Sequence, residues 1–359
     1  GGNTTRETRL KLSAKAYTHT AEYDMAISTY MRAQAGLPEK LFLEYDLKQE
    51  LRYGENPHQE AKFFASTVKE PFSLATAEQL NGKELSYNNI QDANATLNIA
   101  REFDEPFCVG VKHMNPCGSA TGKTIAEAWK KAYEADKTSI FGGIVAANRE
   151  IDLETAQMLK PIFLEIVMAP SFAPDALELL CTKKNLRVLK VDMSKDNTVR
   201  KQYVSMNGGM LVQDRDINTK PVSAEQCVTE AKPTAEQLAD LEFAWKIVKH
   251  VKSNAIVVAK NGMTYGVGAG QMNRIGSAEI ALKQAQATLK EEGKDIMTEG
   301  LVLASDGFFP FNDCVALAAE YGIKAIVQPG GSIRDEDSVN LADEKGITML
   351  FTGERHFKH

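Results

Sequence analysis

The chain has 359 residues, 43% of them hydrophobic and 25% charged, with a net charge of −6 and a pI near 5.7. That is enough for one large or two ordinary domains with a sizeable core, and the acidic balance argues against a general nucleic-acid surface, which needs a dominant basic face. The cysteines (Cys108, Cys117, Cys181, Cys227, Cys314) form no C-x-x-C pair, no secretory or transit segment opens the chain, and no apolar run approaches the roughly 18 residues of a membrane span. Together these features predict reduced thiols in a cytoplasmic protein that neither enters a membrane nor binds nucleic acid.

Thr4, with Glu7 three residues on, reads as a capping box ahead of a helix-length stretch through Tyr17, Tyr23, Ile27 and Met31, a lead-in helix within residues 1–35. Arg52, Tyr53 and His58 follow in the turn-like segment LRYGENPHQ. That set suits a phosphorylated, ring-bearing ligand, guanidinium on phosphate and ring on ring, although a plain polar turn has the same composition. The apolar run 108–111 (CVGV), followed by Lys112, His113 and then MNPCG, predicts a buried strand whose end opens onto a cleft. Neighbours on a strand point to opposite faces, so Lys112 and His113 serve one site only if the backbone turns there, and Asn115-Pro116 supplies a turn signal. A rim Lys beside a core His is the competing reading.

Strand-like runs at 143–147 and 166–169 alternate with helical patterns at 125–133 and 153–162. The second half repeats the rhythm, with strands at 255–259, 301–304, 325–327 and 349–351 and helices at 236–248, 278–289 and 314–321. Both halves therefore read as α/β, a sheet sandwiched by helices, with the polar stretch 192–233 as the boundary. Val111-Lys112-His113 echoes Val248-Lys249-His250, a slight hint of duplication.

Among the later motifs, GVGAGQMNR (266–274) lacks the spacing of a dinucleotide fingerprint and reads as close backbone approach beside Arg274. In SDGFFPFND three phenylalanines around a proline, between acids, suit a pocket for a planar, amidine-bearing heterocycle or an ordinary core-edge loop. QPGGSIRD leads from a strand into a helix with Ser332 and Asp335 in capping spacing, a helix start that also attracts anions. The terminal RHFKH follows Phe351-Thr352-Gly353, which argues for an ordered end. The zinc deaminase signature fails, since Pro116-Cys117 is followed by no second thiol and no Glu stands two residues after His113. No G-x-S-x-G elbow, Walker loop or H-E-x-x-H occurs either.

LRYGENPHQ, GKELSYNNIQDANA (82–95), VKHMNPCG, SIFGGIVAAN (139–148), NGGMLVQDRD (207–216), SNAIVVAKNG, GAGQMNRI, SDGFFPFND, QPGGSIRD and RHFKH stand in one order from Thr4 to His359. In that order the chain resembles the aminoimidazole carboxamide ribonucleotide (AICAR) transformylase domain of the bifunctional purine biosynthesis protein. The resemblance implies a duplicated, cytidine-deaminase-like α/β fold of layered sheets and helices without zinc, its halves spanning residues 36–215 and 216–359. It also implies a homodimer with interface sites and formyl transfer from 10-formyltetrahydrofolate to the 5-amino group of AICAR, with no metal in the chemistry. The family's N-terminal IMP cyclohydrolase segment is not expected in this chain.

Carried over by motif, His113 is the general base, and Lys112 stabilises the oxyanion and the leaving N10. Asn254 holds the formyl group. Arg52, Tyr53, Arg274 and Arg355 match nucleotide contacts, with Asp192, His58 and the terminal His359 on weaker similarity. Ile275, Phe308, Phe311 and Asp313 match the folate pocket, Phe308 also bordering the nucleotide, and Ser332 is a further folate candidate. Ile166 stands where the family has a glycine contact, which leaves a backbone role. A zinc-dependent, deaminase-like hydrolase and a catalytically silent nucleotide-binding module are the alternatives.

Overall fold

The computed structural model describes residues 3–195, 198, 200–217 and 219–359; Gly1 and Gly2 of the expected lead-in lie outside them. One compact unit runs through Gln49 and takes in Phe63–Val68, and the other comprises Glu50–Lys62 and Lys69–His359.

The first unit is built on α1 (Arg6–Gln34), a helix with no buried residue. Its N-cap is Thr5, whose hydroxyl accepts from the Thr8 amide at 3.1 Å, so the expected Thr4–Glu7 capping box does not form. Glu7 pairs instead with Lys11, one turn on, at 2.8 Å, where opposite charges face each other. β1 (Tyr45–Leu51) and β2 (Ala61–Ser66) form a separate two-stranded sheet.

The second unit continues through β3 (Glu78–Asn81), α2 (Tyr87–Ala100), β4 (Phe107–Lys112), β5 (Asn115–Thr121), α3 (Ile125–Ala135), α4 (Lys137–Ile140) and β6 (Ile144–Ala147). Then come α5 (Leu153–Leu159), β7 (Ile166–Ala169), α6 (Pro174–Cys181), β8 (Arg187–Lys190) and the hairpin β9 (Lys201–Met206) and β10 (Gly209–Asp214). After it follow α7 (Ala235–Val248), β11 (Ile256–Lys260), β12 (Met263–Gly268), α8 (Arg274–Glu291), α9 (Ile296–Glu299) and β13 (Val302–Ser305). The last elements are α10 (Asp313–Glu320), β14 (Ala325–Gln328), α11 (Asp335–Lys345) and β15 (Thr348–Phe351).

Among the described residues eleven strands form one sheet in the order β15-β14-β13-β11-β12-β5-β4-β6-β7-β8-β3. The centre is antiparallel, and β6-β7-β8 and β13-β14-β15 are parallel arms. Read outward from the middle, β5-β4-β6-β7-β8 and β12-β11-β13-β14-β15 carry the same pairing sequence. The Val-Lys-His echo has no part in this likeness: Lys112 ends a strand, whereas Lys249 and His250 follow helix α7.

Alternation along β4 assigns the two faces. Phe107, Val109 and Val111 point into a core with Leu97 of α2 and Trp245 of α7. Cys108 points the other way, into a core with Trp129 of α3, Leu180 of α6, Leu282 of α8 and Val315 of α10. Each such fully buried side chain contributes roughly 1.5–3 kcal/mol, and near-continuous apolar runs are what a sheet covered on both faces requires. Gly266 and Gly268 fulfil the expected close approach, because a Cβ there would stand 1.9 Å from the Ala281 carbonyl oxygen and 2.0 Å from that of Ser277. Helix α8 can therefore lie directly on β12.

Candidate functional site

The site grows from the β4–β5 hairpin. The expected turn at Asn115-Pro116 is displaced: Lys112 pairs with Asn115 and Val111 with Pro116, so both prolyl-flanking residues already belong to β5. His113 and Met114 are the two loop residues, at φ 52° and 64°. A two-residue hairpin of this hand needs positive φ at both positions, which Asn-Gly normally supplies. Here bulky residues take it at a cost of order 1–3 kcal/mol each. The backbone reverses directly after Lys112, so His113 lies in the turn and not on the strand. The Lys112 ammonium donates to the Phe141 carbonyl at 2.9 Å, and His113 is exposed at the tip.

Two residues that the motif reading left without a role hold this tip. Asp92, one turn into α2 behind the Ser86–Asn89 capping box, accepts from the Met114 amide at 2.8 Å. Burial raises its carboxyl above the ordinary value, against the pull of that amide and of the His113 imidazole and amide. Lys358 donates to the carbonyls of His250 at 2.7 Å and Met114 at 3.3 Å. Burial, with Lys252 nearby, lowers its ammonium to about 8.

Next to the hairpin lies a buried polar network. Arg274, the first residue of α8 behind the Asn273 cap, donates to Asp306 at 2.5 Å, to the Ser305 hydroxyl at 2.9 Å and to the Asn254 side-chain oxygen at 2.8 Å. Asn254 donates from its side-chain amide to the Gln271 carbonyl at 2.8 Å; the Ser253–Asn254 peptide is cis. A side-chain amide nitrogen carries two hydrogens, and the bond to the Gln271 carbonyl uses one of them. Ser253 donates to Asp306 and accepts from the Lys358 amide at 3.1 Å. The Lys252 amide donates to the Asn115 side chain at 2.9 Å, which joins network and hairpin. The terminal tail is thus ordered, as expected. His356 is buried in it, bonded to Asp216 at 2.6 Å, while Arg355 is exposed and lies 4.6 Å over the Phe357 ring. His359 is exposed, 5.9 Å from that ring.

The aromatic loop divides its phenylalanines. Phe309 is 0% exposed, whereas Phe308 and Phe311 are 37% and 51% exposed, and Ile275 packs half-buried at the core edge. Asp313 opens α10 and accepts from the amide of Cys314 at 2.8 Å. Arg334 lies 5.3 Å over the Phe311 ring. Ser332 is not the cap of α11, which begins behind Arg334 without a side-chain cap. Its hydroxyl accepts from the Arg334 amide at 3.1 Å, while Asp335 reaches back to the Gly331 amide at 2.6 Å. The glycines let the chain fold back on itself, so the carboxylate satisfies a loop donor rather than the helix start.

Arg52 and Tyr53 adjoin each other, the guanidinium 5.6 Å from the ring centroid. Their loop, with exposed His58, is closed by the Gly54 amide on the Gln59 carbonyl at 2.7 Å, and Asn88 of α2 donates to Glu55 at 3.4 Å. Asp192 lies beyond β8, three strands from β4 in the sheet order. Its side chain accepts from the Ser194 amide at 2.8 Å and its carbonyl from Arg101 at 3.2 Å. Ile166 is buried at the start of β7. SDGFFPFND stands out by its aromatic residues between acids and RHFKH by the ordered end it implies, but nothing local assigns Asp306, Ser253 or Lys358 its place in this network.

Fold and site define an α/β protein whose strand-borne Lys and turn-borne His stand beside a buried Arg–Asp–Asn network. The chain belongs to the AICARFT/IMPCHase bienzyme family, whose model matches residues 1–284. It is similar to the bifunctional purine biosynthesis protein PurH of Anoxybacillus flavithermus, at 57% identity over 360 residues. The PurH proteins of Lactobacillus delbrueckii and Bacillus mycoides are 56% and 55% identical to it. Each alignment covers 100% of this chain and 69% of the relative. Among the described residues no group of three or more His, Cys, Asp or Glu could hold a metal ion, and no helix is long and apolar enough to cross a membrane.

Proposed function

We infer that this chain transfers a formyl group from 10-formyltetrahydrofolate to the 5-amino group of AICAR, giving formyl-AICAR and tetrahydrofolate in purine biosynthesis. The observation that carries the reading is the pairing of Lys112 and His113 on a strained hairpin joined to the Asn254 network, in a chain of this family. The acceptor amine is a weak nucleophile, its lone pair delocalised toward the ring carboxamide, so a base must take a proton as nitrogen bonds to the formyl carbon. His113, exposed at the turn, is that base. Lys112 places positive charge at the formyl oxygen and supplies a proton toward N10 as the carbon–N10 bond breaks. Asn254, its carbonyl side fixed by Arg274, directs its remaining amide hydrogen at the formyl oxygen.

Arg52, Tyr53 and Arg355, exposed or half-buried, serve the nucleotide, with His58, Asp192 and His359 as lesser contacts. Phe308, Phe311 and Ile275 offer a flat apolar wall to the folate pterin, with Asp313 and Ser332 as its polar partners and Phe308 bordering both ligands. Arg274 serves the nucleotide as well, from a guanidinium held in place by Asp306, Ser305 and Asn254, whose bonds use three of its five N–H donors. Incubating the chain with AICAR and 10-formyltetrahydrofolate should release tetrahydrofolate and accumulate formyl-AICAR. Binding of AICAR without turnover would leave only the silent binding module.

The two mirrored strand sets support a duplicated, deaminase-like architecture, with halves at residues 36–215 and 216–359 behind a lead-in at 1–35. A homodimer with interface sites suits the exposed apolar side chains of α1, including Leu10, Tyr17, Tyr23 and Tyr30. Free cysteines suit a cytoplasmic location.

A further inference from the structure

We propose that Asp92 and Lys358 are positioning residues which together aim His113, an inference that rests on His113 as the base proposed above. Two consecutive non-glycine residues with positive φ do not hold that shape alone; the surroundings must impose it. Met114 follows His113 directly, and both of its backbone polar groups are held by charged side chains. Its N–H donates to Asp92, 22 positions away in the chain, and its C=O accepts from Lys358, 244 positions away. With both ends of that residue clamped between a carboxylate and an ammonium, the turn cannot relax to negative φ without breaking one of them.

The clamps are themselves anchored. Asp92 stands on α2, whose backbone packs through Ala93 and Leu97 into the core. Lys358 is tied by its amide to Ser253 and by its ammonium to the His250 carbonyl. Glu102, just past the end of α2, bonds Lys249 at 3.0 Å and His250 at 2.8 Å. The helix carrying one clamp is therefore joined to the segment that seats the other. Neither residue needs to touch substrate to act in this way.

The test uses the full chain, with kcat and KM for formyl transfer, AICAR Kd by calorimetry and circular dichroism for folding. Asp92→Ala and Lys358→Met should each lower kcat on the order of 10- to 100-fold, the loss that misplacement approaching about 1 Å brings, while AICAR binding is retained. Asp92→Asn keeps an acceptor for the Met114 amide and Lys358→Arg keeps a cationic donor, so both should restore much of the turnover. The double variant should lose less than the product of the two single losses, because both act on one turn. Parental kcat in folded Asp92→Ala and Lys358→Met would overturn the proposal, and so would a loss that the Asn and Arg variants fail to restore. If Asp92→Ala does not fold, the Asn and Lys358 variants decide by the same criteria. His113→Ala measured alongside separates the two readings: full turnover there removes the base itself, whereas its loss with unaffected positioning variants removes only the clamp.

Discussion

In the proposed reaction Lys112 and His113 act on charge that develops as the formyl group moves, so their interactions would strengthen in the transition state rather than the ground state. Replacing either by Ala should lower kcat by about 100- to 10,000-fold, with the calorimetric Kd for AICAR nearly unchanged. Near-parental kcat in a folded variant would remove that residue from the chemistry. Two titratable residues ending an apolar run single out the pair in the sequence but leave a rim Lys beside a core His equally open; the catalytic roles come from the family resemblance. The turn falls two residues before the Asn-Pro pair, because Asn-Pro carries a local turn signal and a His-Met pair with positive φ carries none. Their conformation is imposed by Asp92 and Lys358, which no neighbouring residue announces.

At the scale of elements, two buried ion pairs join segments that are remote in sequence. Glu102 links the end of α2 to the end of α7. Burial alone would raise its carboxyl, but His250 and Lys249 outweigh that and hold it at about 2. A folded value below the unfolded one adds stability that is fully present above the ordinary 4.5 and disappears as pH falls toward 2. Thermal melts should therefore show Glu102→Gln well below the parent at neutral pH, with the gap closing across that window; a gap constant through it would contradict the linkage. Arg274 and Asp306 form the second pair, both buried. Removing one partner strands the other charge, so Arg274→Ala should cost about 3–5 kcal/mol, read by denaturant unfolding, and weaken AICAR turnover as Asn254 loses its anchor. Unchanged stability would show that Asp306 finds another counter-charge.

At the scale of the whole molecule, a long helix without a buried residue is marginal alone, because helical stability in proteins comes mainly from packing an apolar face. A second copy covering α1 would supply that packing. Specific activity should then fall as the chain is diluted below the dimer dissociation constant, in step with the change from dimer to monomer mass in sedimentation. Full specific activity in a demonstrated monomer would overturn the shared-site reading.

The α/β rhythm was readable from neighbouring residues, because hydrophobic period and helix caps are local properties. The run 166–169 and the helices near 125, 235 and 313 fall where that pattern puts them. The residues of VKHMNPCG, SNAIVVAKNG and RHFKH were likewise visible as motifs. Only tertiary structure decided that three segments so far apart meet, that Phe309 is core while Phe308 and Phe311 are surface, and that Arg274 spends its guanidinium on Asp306. Those outcomes depend on strand order and on which helix covers which face. Asp92 and Lys358 acquire their role only when the β4–β5 hairpin is set between α2 and the chain's last residues.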